Sequence, residues 1–270
     1  MARQTQQRLE AAAAATPIAV SVELDGATHV FEGVAGQFSA VDVLRQMQER
    51  GLPKVAQALA VQLSTADSRN NSRVVDLRYP LESDCSLSFL DFSTDEGKKV
   101  FWHSSAHVLG QALEIKYQDK IRLCDGPALS EGGFFYEMFL QDQLTVSDSD
   151  FPELTSIIKR IVKQRQPFER LVVSRDTARE MFEYSEFKRQ MLDKIPAHED
   201  VTLYRCGPLI DLCRGPHVPH TGTYVSSGVA FVWNGRLSCR WSSRVARVCI
   251  DTRREAGDAQ QRPIAKPPRR

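Results

Sequence analysis

The sequence predicts an α+β protein built from two consecutive units, and three observations carry that expectation. Two alternating apolar runs flank an Asp25-Gly26 pair between residues 17 and 33, the signature of a β-hairpin. From residue 93 onward, stretches with a helical apolar stripe alternate with short runs of strand type. The 270 residues, 42% hydrophobic and 26% charged, suffice for one large domain or two ordinary ones, and no apolar run reaches membrane-spanning length.

The elements come in chain order. "PIAVSVELDGATHVFEG", 17–33, is the hairpin. In "SAVDVLRQMQERG" Val41, Leu44 and Met47 are spaced as one helix face, with Ser39 as cap and Gly51 as stop. "ALAVQLS", "RVVDLRY" and "CSLSFLDF" read as short strands. Hairpin, helix and short strands together predict a β-grasp unit, similar to ubiquitin. Ser93 and Glu96 have the spacing of a capping box, which starts the next helix near Thr94. "LSEGGFFYEMFL" reads as a Gly-Gly turn and an aromatic strand, with Phe134, Phe135 and Phe139 in the core. Leu154, Ile157, Ile158, Ile161 and Val162 form a helical stripe between Pro152 and Pro167. "FERLVVS" reads as a strand, and "RDTAREMFEYSEFKRQMLDKI" as one or two helices. "VTLYRCG" and "PLIDLC" then read as strands, and no internal repeat is visible.

The termini differ from this body. Residues 1–16 read as a flexible N-terminal arm without a signal-peptide apolar region. From Trp233 to Arg270 there are ten Lys/Arg against three Asp/Glu, whereas the whole chain has a formal net charge of only +1. Residues 235–270 are therefore expected to be a basic, disordered tail. The six cysteines are scattered, which favours reduced thiols and a cytoplasmic location. Cys124, Cys206, Cys239 and Cys249 are expected to have no site role, and His220 to lie at the surface.

Two short stretches carry chemistry. "HSSAHVLGQALE" places His103 and His107 about one helical turn apart on one face. Two such imidazoles suit a metal pair, an acid/base pair or a substrate clamp. "DLCRGPHVPHTG" offers Cys213 and His217, again four apart. Three nitrogens and one sulfur are a ligand set compatible with tetrahedral zinc.

These residues, with "GPALSEGGFFYEM", resemble the editing domain of threonyl-tRNA synthetase, which is related to that of alanyl-tRNA synthetase. Residues 17–93 are similar in outline and position to the TGS domain that precedes it, and 94–234 to the editing domain itself. The resemblance implies hydrolysis of seryl-tRNA(Thr), a tRNA mischarged with serine. It assigns His103 and His107 to the family's HxxxH, and Asp211, Cys213 and His217 to its D-x-C-x-x-x-H. Tyr136 matches the tyrosine closing its aromatic run and is expected to bind substrate. Lys188 falls where the family has a functional lysine, to stabilise developing negative charge. Asp211 could bind the α-amino group or fix a histidine. Cys213 is expected to be a wall of the pocket, because water is the family's implied nucleophile. The threonyl branch implies no required metal, so no cofactor is expected, although zinc at His103, His107, Cys213 and His217 is chemically permitted. The class II core that binds ATP and zinc and mediates homodimerisation in the family has no counterpart here; after about Val232 the resemblance ends. Two rival readings are an inactive RNA- or protein-binding module and a zinc hydrolase of unrelated substrate.

Overall fold

The computed structural model describes residues 16–53, 55, 57–65, 72–126, 133–141, 144, 146–223, 238–242 and 245–250. The fold is α+β, as expected, with three sheets. Strands β1 (Pro17–Leu24) and β2 (Ala27–Val34) pair around Asp25 and Gly26, both with positive φ, as a two-residue hairpin turn requires. Helix α1 (Ala40–Glu49) carries a capping box between Ser39 and Asp42, and Gly51 comes just after it at φ 67°. Its buried face is Ala40, Val43 and Met47, while Val41 and Leu44 pack only partly against the core. The stripe expected from the sequence was therefore rotated by one residue. Strands β3 (Ala60–Thr65), β4 (Arg73–Val75) and β5 (Cys85–Leu90) complete a sheet of order β2-β1-β5-β3-β4. β1 and β5 run parallel, and the sheet buries Val20, Val22, Phe31, Val61 and Leu87 in a shared core with Val43 and Met47. A mixed sheet in this order with one helix on it has β-grasp topology.

Helix α2 (Asp95–Tyr117) is the spine of the second unit. Its cap is Thr94, whose Oγ1 accepts from Gly97 N–H at 3.0 Å, rather than Ser93, whose hydroxyl is committed to Asp91. Strands β6 (Ile121–Leu123) and β7 (Phe134–Leu140) lie against it. Helix α3 (Phe151–Gln164) packs the expected Leu154–Val162 stripe onto α2. Each of those five side chains contributes roughly 1.5–3 kcal/mol by leaving water. The chain continues through β8 (Phe168–Ser174), α4 (Arg175–Met181), α5 (Glu186–Asp193), β9 (Asp200–Cys206) and β10 (Leu209–Leu212). The three strands form an antiparallel sheet of order β10-β9-β8. Phe134 and Phe135 are buried as expected, whereas Phe139 is half-buried beside Phe187.

The tail departs from expectation. β11 (Ser238–Ser242) and β12 (Val245–Ile250) form a hairpin, and β12 pairs along β7 from Phe134 to Phe139. Disorder from residue 235 is thus corrected for these two segments. Net charge hid the alternation in "VARVCI", which sends Ala246 and Val248 into the core with no exposed surface. An edge strand as apolar as β7 leaves its backbone groups in need of a partner. Trypsin should accordingly cut after Arg247, whose backbone pairs with Glu137, no faster than at the body's sheltered sites. Early cleavage there, detected by mass spectrometry, would show that the hairpin is not formed in solution. No helix among the described residues is long and apolar enough to cross a membrane.

Candidate functional site

The site is assembled from four elements around one face of α2. His103, His107 and Glu114 recur at helical spacing on that face, with imidazole centroids 5.3 Å apart for the histidine pair. The loop after β10, which contains a cis Gly215-Pro216 bond, brings Cys213 and His217 against them. The His217 ring lies 4.5 Å from His103 and 4.4 Å from His107. Phe168 stacks on its face at 4.8 Å and Tyr204 meets it edge-on at 4.5 Å, so its position is fixed on several sides. Cys213 Sγ is 3.2 Å from His103 Nε2 and 3.3 Å from His217 Nε2.

Below this cluster sits a buried charged pair. Lys188 Nζ is 2.5 Å from Asp211 Oδ1, and both side chains are only 6% exposed. Lys188 also donates to the Cys124 carbonyl at 3.1 Å. The Ser185 cap of α5, accepting from Lys188 N–H, starts the helix that delivers this lysine. Asp211 Oδ2 accepts from the Tyr136 hydroxyl and lies 3.7 Å from His107 Nδ1. Tyr136 can occupy its place because Gly110 and Gly126 flank its ring. A Cβ at those positions would sit 2.6 Å and 2.4 Å from Tyr136 Cε2. A cavity of about 380 Å³ opens on the pair and is lined by Glu114, Arg122, Tyr184, Lys188, Ile210 and Asp211. That is the lower range of small-ligand pockets.

Burial sets the protonation states. It pushes His107 down to about 3 and lowers His103 and His217 as well, so at neutral pH all three imidazoles are uncharged. Burial pushes the Cys213 thiol up to about 12, which makes it a poor nucleophile on its own. Burial alone would raise the Asp211 carboxyl, but Lys188, His107 and the hydrogen bonds from Lys188 and Tyr136 together outweigh it and hold the group below the usual carboxylate value. Burial, reinforced by Asp211, pushes Glu114 up to about 7. Ser104 defines the His217 tautomer. Its hydroxyl donates to Val100 O at 2.7 Å and accepts from Val218 N–H at 3.0 Å. It therefore accepts from His217 Nδ1–H, 3.1 Å away, and leaves Nε2 as an acceptor facing Cys213.

All seven residues expected from the sequence, His103, His107, Tyr136, Lys188, Asp211, Cys213 and His217, thus meet at one place. His220 lies apart, with its Nε2 3.0 Å from Arg165. Sequence reasoning missed Glu114, Ser104, Asp76 and Tyr204. Glu114 continues the His103/His107 helical face and could have been found by extending that period. Asp76 and Tyr204 enter only through tertiary packing.

The donor atoms of His103, His107, Cys213 and His217 all lie within 4.8 Å of one another. Tetrahedral zinc bound at 2.0–2.3 Å brings its ligands to about 3.3–3.6 Å. Neutral imidazoles and a single thiol, deprotonated on binding, are a donor set that fits such an ion after a contraction of about 1.2–1.5 Å at the widest pair.

The segment 201–223, which holds β9 from Val201 onward, β10 and the Cys213–His217 loop, matches a family model described as the threonyl and alanyl tRNA synthetase second additional domain. Over 158 residues the chain is 49% identical to the probable cytoplasmic threonine–tRNA ligase 1 of Dictyostelium discoideum, covering 58% of this chain and 22% of that protein. It is 47% identical over 169 residues to human cytoplasmic threonine–tRNA ligase 2, covering 63% of this chain and 20% of that one. It is 42% identical over 186 residues to rat cytoplasmic threonine–tRNA ligase 1, covering 67% and 26%. The chain spans about a fifth to a quarter of the length of these curated relatives.

Proposed function

We propose that this threonyl-tRNA synthetase homologue carries a post-transfer editing site, which hydrolyses the ester of tRNA(Thr) mischarged with serine. The observation that supports the reading most is the convergence of three neutral imidazoles and a protonated thiol on a buried Lys188–Asp211 pair, with Asp211, Cys213 and His217 supplied by the segment that matches the family model. The need for such a site arises from chemistry. Serine lacks one methyl of threonine, and a pocket discriminates a single methyl by only about 1–3 kcal/mol.

On this reading the ester lies between the histidine cluster and the cavity. A neutral imidazole of His103 or His107 accepts a proton from the attacking water. Lys188 faces the oxygen that becomes negative, and Asp211 faces the α-ammonium group. Tyr136 holds the Asp211 carboxylate. Cys213, protonated, contributes a polar wall and forms no covalent intermediate. The four-donor set favours a second version, in which a zinc ion occupies the cluster. Such an ion would be held by His103, His107, Cys213 and His217, and would lower the pKa of a water that joined it as a fifth ligand or replaced one of the four.

We assign 17–93 to a TGS-like unit and 94–234 to the editing unit, with the 238–250 hairpin added to its sheet. The relatives' names refer to threonine–tRNA ligation; the residues here are assigned the hydrolytic step alone, in the cytoplasm, with tRNA(Thr) as partner. Serine release from seryl-tRNA(Thr) by the purified chain is the test. His103→Ala combined with His107→Ala should slow it by about 100-fold or more. Equal rates in the variant and the wild type would refute the assignment.

A further inference from the structure

The cluster is supported from outside its own unit. Asp76 lies just after β4, in the turn that closes at Tyr79, on the first sheet. Its Oδ1 accepts from the backbone N–H of His217 at 2.6 Å, across 141 residues of sequence. Its Oδ2 accepts from the hydroxyl of Tyr204. Tyr204, on β9, is the edge-on wall of the His217 ring. One carboxylate thus ties down both the loop that carries His217 and the ring that borders it. The Arg170 guanidinium faces the same carboxylate and lies over the Tyr79 ring at 5.2 Å, which extends the contact between the two sheets. Leu59 and Ala60, next to each other at the start of β3, are also buried in the core cluster of α2 and β7.

We infer that Asp76 is a positioning residue for His217, so that the β-grasp unit is a structural part of the hydrolytic site. Without this carboxylate two donors, the His217 N–H and the Tyr204 O–H, lose their acceptor in a sheltered place. The loop is then free to shift, and the His217 Nε2 that faces Cys213 and His103 moves with it. Asp76 touches neither substrate nor the reacting atoms. Its effect is on the rate of the bound complex rather than on the capture of tRNA.

The inference rests on the editing reading for its kinetic arm and stands apart from it in its spectroscopic arm. The full chain is compared with Asp76→Ala, Asp76→Asn and Tyr204→Phe. Serine release is measured at saturating and subsaturating chain, and histidine ring signals are recorded by NMR on chain labelled with 15N-histidine. Asp76→Ala is expected to slow the limiting rate by about 100-fold while the half-saturating concentration changes by less than about threefold. Asparagine still accepts from His217 N–H and can donate to the Tyr204 oxygen, so Asp76→Asn should keep the rate within about fivefold of wild type. The His217 ring signals should move in Asp76→Ala and Tyr204→Phe and return close to wild type in Asp76→Asn. The inference is overturned if His217 signals are unchanged in Asp76→Ala, or if alanine and asparagine impair the rate equally. Should Asp76→Ala fail to fold, unchanged His217 signals in Tyr204→Phe overturn it and shifted ones support it. A wild-type chain that releases no serine refutes the editing reading alone, because the ring signals still decide the role of Asp76.

Discussion

Lys188→Met is expected to destabilise the protein by about 3–5 kcal/mol and to abolish serine release. Methionine keeps the length and the apolar stem of lysine but removes the ammonium that lies 2.5 Å from Asp211 Oδ1. The buried Asp211 carboxylate is then left with the Leu212 backbone N–H, the Tyr136 hydroxyl and the more distant His107, and with no counter-charge. A buried charge with its counter-charge removed costs far more than the pair contributed. Adding Asp211→Asn removes that charge, so the double variant should regain most of the lost stability without regaining activity. Because Asp211→Asn alone strands the Lys188 ammonium, the coupling between the two substitutions should then be at least about 3 kcal/mol. Urea unfolding of the four proteins measures it, provided the slopes agree. A Lys188→Met variant within about 1 kcal/mol of wild type would mean that the pair is hydrated in solution, like a surface ion pair.

Between pH 6.5 and about pH 5 the metal-free protein should lose about 1–3 kcal/mol of stability per pH unit. His107 is pushed down by burial from 6.5 to about 3, and His103 and His217 lie below 6.5 for the same reason. In this window the unfolded chain protonates these three rings, whereas the folded chain keeps His107 and His217 neutral and takes up a proton on His103 less readily than a free imidazole. Acid therefore draws the equilibrium toward the unfolded state, by up to about 1.4 kcal/mol per pH unit for each ring. Glu114 opposes them. Its folded pKa is raised from 4.5 to about 7, so the folded chain holds a proton that the unfolded chain lacks until about pH 4.5. Asp76, raised from 3.8 by burial, opposes them further at the acid end. The net is between about one and two groups. Urea midpoints in EDTA at pH 7, 6 and 5 give the slope, and His107→Gln should reduce it by about half. A stability that is flat or rises toward pH 5 would show that the histidines are accessible to protons in the folded state.

The parts of this structure that were readable in sequence are those set by local rules. Asp25-Gly26 dictated a hairpin because only a turn with positive φ at both residues matches the twist of its strands. The Leu154–Val162 stripe dictated α3 through its period. His103 and His107 were legible as a pair because a helix fixes where residues four apart point. That Cys213 and His217 meet them, 110 residues later, was suggested by their donor types and specified by resemblance to a family, since no local rule brings β10 to α2. The burial of Lys188 was not legible: its helix, α5, is strongly charged, and only the packing of α5 turns this one lysine inward. Asp76 looked like an ordinary turn residue, and its role depends on a contact between sheets. β12 was hidden by Arg247 between its two inward residues and by the basic charge of the surrounding tail, a case of charge count outweighing alternation.

Whether this cluster removes serine from tRNA(Thr) is decided by comparing two esters on one tRNA. Seryl-tRNA(Thr) and threonyl-tRNA(Thr) are incubated with excess purified chain, and release of each amino acid is recorded in a single turnover. Serine should be released at least about tenfold faster than threonine, the ratio that one methyl against a close wall supports. Equal release of the two, or no release of serine by a chain that unfolds cooperatively in urea, would contradict the editing assignment.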